Sequence, residues 1–479
     1  MANDKTFDLF RLLKVNPDIS LKQQISYVWK LSLPGIFAQI SSILMQYIDA
    51  AMVGNLGANA SAAIGLVASS TWVLGSLSNA LCVGFTVQVA HSFGAGDYRK
   101  AKYIFKKSIN TCFIFSFLLL IFSSAISYFL PAWLGGASDI RSDAFWYFLI
   151  FGLSTPFFIT VYLMSGMMQC SGNMKLPGIL NGTMCLLDVA FNFLFINILH
   201  LGVKGAALGT ASASLVTALI MFTYECFFSK LAFFTKKTVP LTGDSSLTED
   251  NLYLEKSVPD KVKYKGSRIV FNAIKLALPI GLESSAFTGA LVAVSRIIAP
   301  LGSAALAANS FATTAEALCY MPGYGFQEAA ITLVGQSVGA KRKDLTKSFS
   351  IITILAGVLI QSLMGVIMYF LCPYVMAFLS PVQEIQMLGV KVLRIELFAE
   401  PFYAAAIVST GCTRARGDTL VPSLLNLFSL WVVRISLSLI LVKPYGLIGI
   451  WIAMTIELTF RGLIMLARLF IFPKKLPCR

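Results

Sequence analysis

The chain repeats itself at a constant offset of 245 residues. Pro34 recurs as Pro279, Leu56-Gly57 as Leu301-Gly302, and Ala62-Ala63 as Ala307-Ala308. Ser92, Gly94 and Ala95 recur as Ser337, Gly339 and Ala340. Pro156, Gly172, Pro177 and Asn181 recur as Pro401, Gly417, Pro422 and Asn426. One register held over so much chain requires both halves to fold through the same succession of elements. Polarity narrows the choice further. Of 479 residues, 57% are hydrophobic and 13% charged, against about 25% charged in a soluble domain. Roughly twelve apolar runs reach the ~20 residues that cross ~30 Å of hydrocarbon as a helix.

These features predict an all-α integral membrane protein with twelve transmembrane helices in two six-helix lobes. With an even number of spans per repeat, the second half enters the bilayer in the same orientation as the first. The lobes are then related by a pseudo-two-fold along the membrane normal, around a central cavity. The expected division is residues 1–228 for spans 1–6, a polar linker at 229–268, and 269–479 for spans 7–12. Halves matched in this way are a signature of secondary transporters. Pro34, Pro156, Pro279, Pro322 and Pro401 fall inside spans, where a break is tolerated beside a cavity or neighbouring helices.

The net charge of +15 raises nucleic acid as a partner, but the distribution of Lys and Arg argues against it. They crowd the N-terminus, the Arg99–Lys107 stretch, the linker, Lys341-Arg342-Lys343, Arg414 with Arg416, and the tail from Arg468. The loops opposite carry little more than Arg141, Lys204, Lys391, Arg394 and Lys443. This is the positive-inside pattern of a multi-pass protein with both termini and the linker cytoplasmic. The first apolar run begins after about 26 polar and amphipathic residues and is too long for a signal-peptide core, so no cleaved signal is expected. The nine cysteines form no CxxC pair and read as small packing residues kept reduced.

Enzyme chemistry finds little foothold. There is no G-x-x-x-x-G-K-[ST] loop for ATP, and His91 and His200, the two histidines, lie in no metal-ligand cluster. The intramembrane acids are the candidates, since an Asp at the bilayer centre costs about 2.5–3.5 kcal/mol on insertion scales. Asp49 lies in span 1. Asp188 and Asn192 are four residues apart in span 5 and share a helix face. Oxygen ligands suit a hard cation such as Na⁺, and a desolvated carboxylate suits a proton. A buried structural network around Asp49 is the alternative reading.

The second half has valines, Val294 and Val433, where Asp49 and Asp188 would repeat. It carries Glu283, Glu316, Glu328, Glu400 and Glu457 instead, with Arg296, Arg434 and Arg461. Glu457 and Arg461, four residues apart, read as a structural ion pair. Glu283 and Glu400 each sit beside a proline and read as substrate contacts. Met45, Tyr47, Trp72, Phe157, Tyr162 and Tyr324 supply aromatic and thioether surface for an adaptable pocket or for plain packing.

Several motifs resemble one transporter family. They are Pro34 with Asp49, the loop Ser92-Phe-Gly-Ala-Gly96-Asp97, the run Met321-Pro-Gly-Tyr-Gly-Phe326, and Leu333-Val-Gly-Gln-Ser-Val-Gly-Ala340. Together they are similar to the multidrug and toxic compound extrusion (MATE) transporters, over about residues 30 to 470. The resemblance implies a V-shaped pair of lobes that exports cationic or amphiphilic organic compounds in exchange for Na⁺ or H⁺. It implies no prosthetic cofactor, and it adds Thr210 to Asp49, Asp188 and Asn192 as an oxygen ligand for the coupling cation. Members with a well-defined cation site carry Asn before Asp in span 5, whereas here Asp188 precedes Asn192. That reversal leaves Na⁺ and H⁺ both open. The partners expected are an organic cation or drug, held by Glu283, Glu400, Tyr47 and Tyr324, and the lipid bilayer, with the protein a monomer in a bacterial inner membrane. A lipid-linked precursor flippase is the rival function. It should line its cavity with Arg and Lys, whereas the candidates here are carboxylates.

Overall fold

The computed structural model describes residues 19–54, 56–229, 231 and 264–471. These are helical almost throughout, with no strand among them. Most of the linker, including Lys236-Lys237, Lys261 and Lys263, and the basic tail after Ile471 lie outside the described residues. The first repeat comprises α1 (Leu21–Gly54), α2 (Ala58–Ala95), α3 (Tyr98–Ser127), α4 (Ser138–Leu153), α5 (Thr155–Cys170), α6 (Lys175–Asn192) and α7 (Val203–Phe227). The second comprises α8 (Gly266–Ile298), α9 (Ser303–Gly339), α10 (Lys343–Leu379), α11 (Gln383–Glu396), α12 (Glu400–Ala415), α13 (Leu420–Phe428), α14 (Ile435–Tyr445) and α15 (Leu447–Phe470). Shifted by 245, α5 lands on α12 at both ends, and the starts of α1, α2, α3, α4 and α6 land on those of α8, α9, α10, α11 and α13.

Local chemistry explains this agreement. Gly57 and Gly302 precede α2 and α9 at φ 107° and 98°, and Gly172 and Gly417 close α5 and α12 at φ 94° and 76°. These positive angles favour glycine, which lacks the Cβ that would clash. Pro156 and Pro401 occupy the first turns of α5 and α12, where a missing N–H costs nothing. The break just before Pro156 bends α4 against α5 by 44°.

Nine described helices are long and apolar enough to cross a membrane, or ten with the α4–α5 pair counted as one span. The repeat register adds α9 and the α11–α12 pair, which carry Glu316, Glu328, Glu396 and Glu400, so the fold is a twelve-span, all-helical membrane protein. Its outer surface is apolar. Ile114, Leu118, Ile121 and Phe122 of α3 are exposed, and so are their repeats Leu359, Leu363, Val366 and Ile367 of α10. The buried face of α3 carries Ser108, Ser116, Ser123 and Ser127, each bonded to a carbonyl three residues back. Small hydroxyl residues of this kind let membrane helices approach closely.

The chain divides into two compact units, and each draws on both repeats. Unit 1 takes the described residues up to Gln23, those from Leu44 to Leu278, and Gly335–Thr346. Its core gathers Phe85, Phe105, Phe148, Met164 and Met167, with Ala273 and Ala277 from the start of α8. There Gln88 Nε2 donates to the Ile269 carbonyl at 3.2 Å. A Cβ on Gly94 would meet the Gln336 carbonyl, and one on Gly339 the His91 carbonyl, both within about 2 Å. His91 and Gln336 are themselves repeat mates, so this crossing of α2 and α9 is a contact that the repeat makes twice. Unit 2 takes Gln24–Ile43, Pro279–Val334 and the described residues from Lys347 onward. Its core centres on Trp451, Tyr403, Met368 and Met376, and Trp451 Nε1 donates to Asn309 Oδ1 at 3.0 Å. In this unit the start of α1 lies on α9: a Cβ on Gly35 would sit 3.2 Å from the Gly325 carbonyl, and Gln39 Nε2 donates to Glu328 Oε1 at 3.0 Å. The starts of α1 and α8 thus do the same job against α9 and α2.

Candidate functional site

In unit 1, three helices bring the predicted polar residues together. Asp49 stands near the end of α1, Asp188 and Asn192 on one face of α6, and Thr210 in the second turn of α7. Asn192 bridges the two acids with its single amide nitrogen. Nδ2 donates to Asp49 Oδ1 at 2.8 Å and to Asp188 Oδ2 at 3.0 Å. Thr210 Oγ1 donates to the Ala206 carbonyl at 3.4 Å, and its hydroxyl and the Asp49 carboxyl are close polar neighbours of Asp188. Asp188 and Asn192 are fully buried, while Asp49 is half-buried. Two buried oxygens remain without a hydrogen-bond partner, Asp188 Oδ1 and Asn192 Oδ1. Buried acceptors left bare are uncommon, because each forfeits its hydration without replacement.

Three features of this site are not legible in the spacing of its residues. Gly205 and Gly209, four residues apart on α7, are where α6 approaches, and a Cβ on Gly209 would overlap Asn192 Oδ1. The Gly-x-x-x-Gly pattern is the signal that marks such an approach in membrane helices. Directly after Asn192, α6 widens into a π turn over Phe193–Ile198, a distortion common at functional sites that propensity does not foretell. Tyr147 of α4 completes the surroundings, with Asp49 and Asp188 as its charged neighbours.

The other candidates lie apart. Tyr47 precedes Asp49 by two positions, about 200° around the helix, and so faces away from the acids. In unit 2, Glu283 is held at both oxygens: Arg414 Nη2 donates to Oε2 at 3.0 Å, Ser423 Oγ also donates to Oε2, and Asn426 Nδ2 donates to Oε1 at 2.6 Å. Its charge is matched in place. Glu400 is fully buried and accepts from Gln361 Nε2 at 2.5 Å. Tyr324 is packed edge-on to Tyr320, which in turn packs edge-on to Tyr403. Glu283 and Glu400 share no partner. Glu457 and Arg461 do pair, at 2.6 Å. The eight described cysteines are buried, and none of them forms a disulfide.

Known proteins share this architecture. The family model described as MatE matches residues 34–194 and 279–440, one match in each repeat. A probable multidrug resistance protein NorM of Thermotoga maritima is 24% identical over 91% of this chain and 90% of its own. The multidrug resistance protein NorM of Aliivibrio fischeri is 22% identical over 94% and 95%. Among solved structures, a MOP superfamily transporter from Pyrococcus furiosus is similar at TM-score 0.83 and 18% identity, covering 96% of this chain and 97% of the other. A mutant MATE transporter from Vibrio cholerae also reaches 0.83, at 17% identity, covering 93% and 96%.

Proposed function

Because the chain belongs to the MatE family of membrane transporters, we propose that it exports organic compounds by exchanging them for a cation held by Asp49, Asp188, Asn192 and Thr210. The observation that carries this reading is the pair of bare buried oxygens, Asp188 Oδ1 and Asn192 Oδ1, beside a second carboxylate. Two neighbouring carboxylates repel unless a positive charge lies with them. A Na⁺ ion or a proton supplies that charge, and its release leaves the acids in need of another. The site therefore favours one occupied and one empty state of the protein, which is what exchange across a membrane requires. Relatives named for multidrug resistance support amphiphilic drugs as cargo. Carboxylates in the spans favour cationic members of that class. Glu400, Tyr47 and Tyr324 stay in this reading as substrate contacts. Glu283, already matched by Arg414, ties α8 to α12 and α13 instead. The basic segments support a cytoplasmic side for both termini and the linker in this reading.

The test is efflux of a fluorescent organic cation from proteoliposomes of the full chain, with Na⁺ and pH gradients imposed separately. Efflux driven by one gradient and abolished by Asp49→Asn, with the variant still folded, is the expected result. Efflux that ignores both gradients, or that survives Asp49→Asn, rejects the assignment.

A further inference from the structure

The turn between α12 and α13, in unit 2, carries charge that the exchange reading does not use. Arg416 caps the end of α12, Asp418 follows Gly417, and Arg468 stands in the last turn of α15. Arg468 is matched in place: its Nε and Nη2 both donate to Asp418 Oδ2, at 3.1 and 2.5 Å. Arg416 is not. Its Nη1 donates to the Leu469 carbonyl at 3.1 Å and its Nη2 to Ser350 Oγ at 3.3 Å, both neutral acceptors. Its Nε is buried without a partner. Among the described residues no carboxylate pairs with it, and the titratable group beside it is the Cys412 thiol. A buried acid can lose its charge by taking up a proton, but a guanidinium stays charged in a protein. An anion from outside the chain would match the half-buried charge of Arg416 and accept from the donors it has left.

The fold does not need this charge. In the first repeat Ser171, Asn173 and Thr223 stand where the second has Arg416, Asp418 and Arg468. There Ser171 Oγ donates to the Met168 carbonyl at 2.7 Å, and Asn173 Oδ1 accepts from the Leu176 amide at 3.2 Å. Gly172 turns that chain with a positive φ, as Gly417 does here. The second repeat thus adds one net positive charge to a turn that closes without any.

The surface around the turn is apolar. Leu420 and Leu424, four residues apart and on one face of α13, are exposed, and so is Ile471 just past α15. On the outside of a membrane protein such side chains meet acyl chains. By the positive-inside pattern the turn, with Arg414 and Arg416, lies on the cytoplasmic side, where anionic lipids attract basic groups. One unmatched cation at the end of an apolar face fits a ligand with one anionic phosphate and long hydrocarbon tails.

We propose that the α12–α13 turn and the end of α15 bind an anionic phospholipid, with Arg416 receiving the phosphate and Leu420, Leu424 and Ile471 meeting the chains. The inference goes beyond the exchange reading and does not depend on the coupling cation. The probes are phosphatidylglycerol, phosphatidylcholine with the same acyl chains, and inorganic phosphate, each added to the full chain in neutral detergent. Native mass spectrometry reads retained lipid, and the unfolding temperature reads the stability that binding adds. Phosphatidylglycerol should be retained and raise the unfolding temperature, while the other two probes should do neither. Arg416→Ser should weaken phosphatidylglycerol binding about five-fold, the worth of one basic group near an anionic surface. Asp418→Asn removes a competing negative charge and should strengthen binding by a similar factor. Each variant installs the residue that the first repeat already uses, and the opposite signs separate lipid recognition from a structural role. Equal binding in Arg416→Ser, or weakening in both variants alike, overturns the proposal. Equal effects of the two lipids would remove the charge recognition, and an equal response to inorganic phosphate would make the site one for a free anion; either also overturns it. If Arg416→Ser does not fold, the direction of the Asp418→Asn effect decides.

Discussion

At the scale of single residues, what matters at the cation site is how little room it leaves. Gly209 stands where any side chain would strike Asn192 Oδ1, so Gly209→Ala should displace the amide that joins the two acids. Overpacking of this kind costs about 1–3 kcal/mol, and the cation dependence of transport should shift by ~10-fold or more to higher concentration. Titration of efflux against Na⁺ or H⁺ measures it, and an unshifted curve would place Asn192 outside the site. Lys341 offers a test of backbone strain. It sits at φ 61°, where its repeat mate is Gly96 at φ 74°. A side chain in the left-handed region costs about 1–2 kcal/mol, partly offset by the freedom glycine loses on folding. Lys341→Gly should therefore stabilise the protein by ~0.5–1 kcal/mol, visible as a higher unfolding temperature. Residue type alone singles out Asp49, Asp188 and Asn192, because acids and amides are rare in apolar spans. The partner of Glu283 is hidden from such reasoning: Arg414 lies on another helix 131 positions away, and spacing along the chain says nothing about such pairs.

At the scale of elements, the repeated glycines and prolines were legible, and the structure puts them at ends of α2, α5, α9 and α12 by the same local rules in both repeats. The π turn over Phe193–Ile198 was not, since residue propensity does not foretell a widened turn. The start of α8 shows how a motif residue serves more than one element. Asp97 accepts from the Lys100 amide at 2.9 Å, capping α3. It also accepts from the Tyr264 hydroxyl at 3.0 and 3.1 Å, just ahead of α8. Burial, and then the donated bond to Asp97, push the Tyr264 hydroxyl up to about 12, from about 10 in an unfolded chain. A group whose folded value is raised contributes its stability below the unfolded value and loses it as pH climbs through the folded one. The Tyr264–Asp97 link should thus hold below about pH 10 and fail between about 10 and 12. Comparing tyrosinate absorbance of wild type and Tyr264→Phe should show one residue ionising late; identical titrations would mean the bond is absent in solution.

At the scale of the whole molecule, composition and the repeat together made the all-helical membrane fold readable, because burying apolar surface in lipid turns the usual inside-out pattern into long, uniform runs. What they did not show is how those runs are shared out. A helix that begins in one compact unit and ends in the other looks, residue by residue, like any other span. The exchange of the starts of α1 and α8 bears on manufacture. When the ribosome has delivered the first seven helices, unit 1 still lacks the segment ending at Leu278 and the piece Gly335–Thr346. The early product must wait in the membrane with α2 uncovered along Gly84 and Gly94 until the later helices arrive. Residues 1–228 made alone should be degraded quickly or cut readily by added protease, and co-production of 243–479 should protect them. A fragment that is compact and protease-resistant by itself would show that the borrowed segments are decoration. If they are not, the time-critical stretch of translation lies in the second half of the message, after the first repeat is already complete.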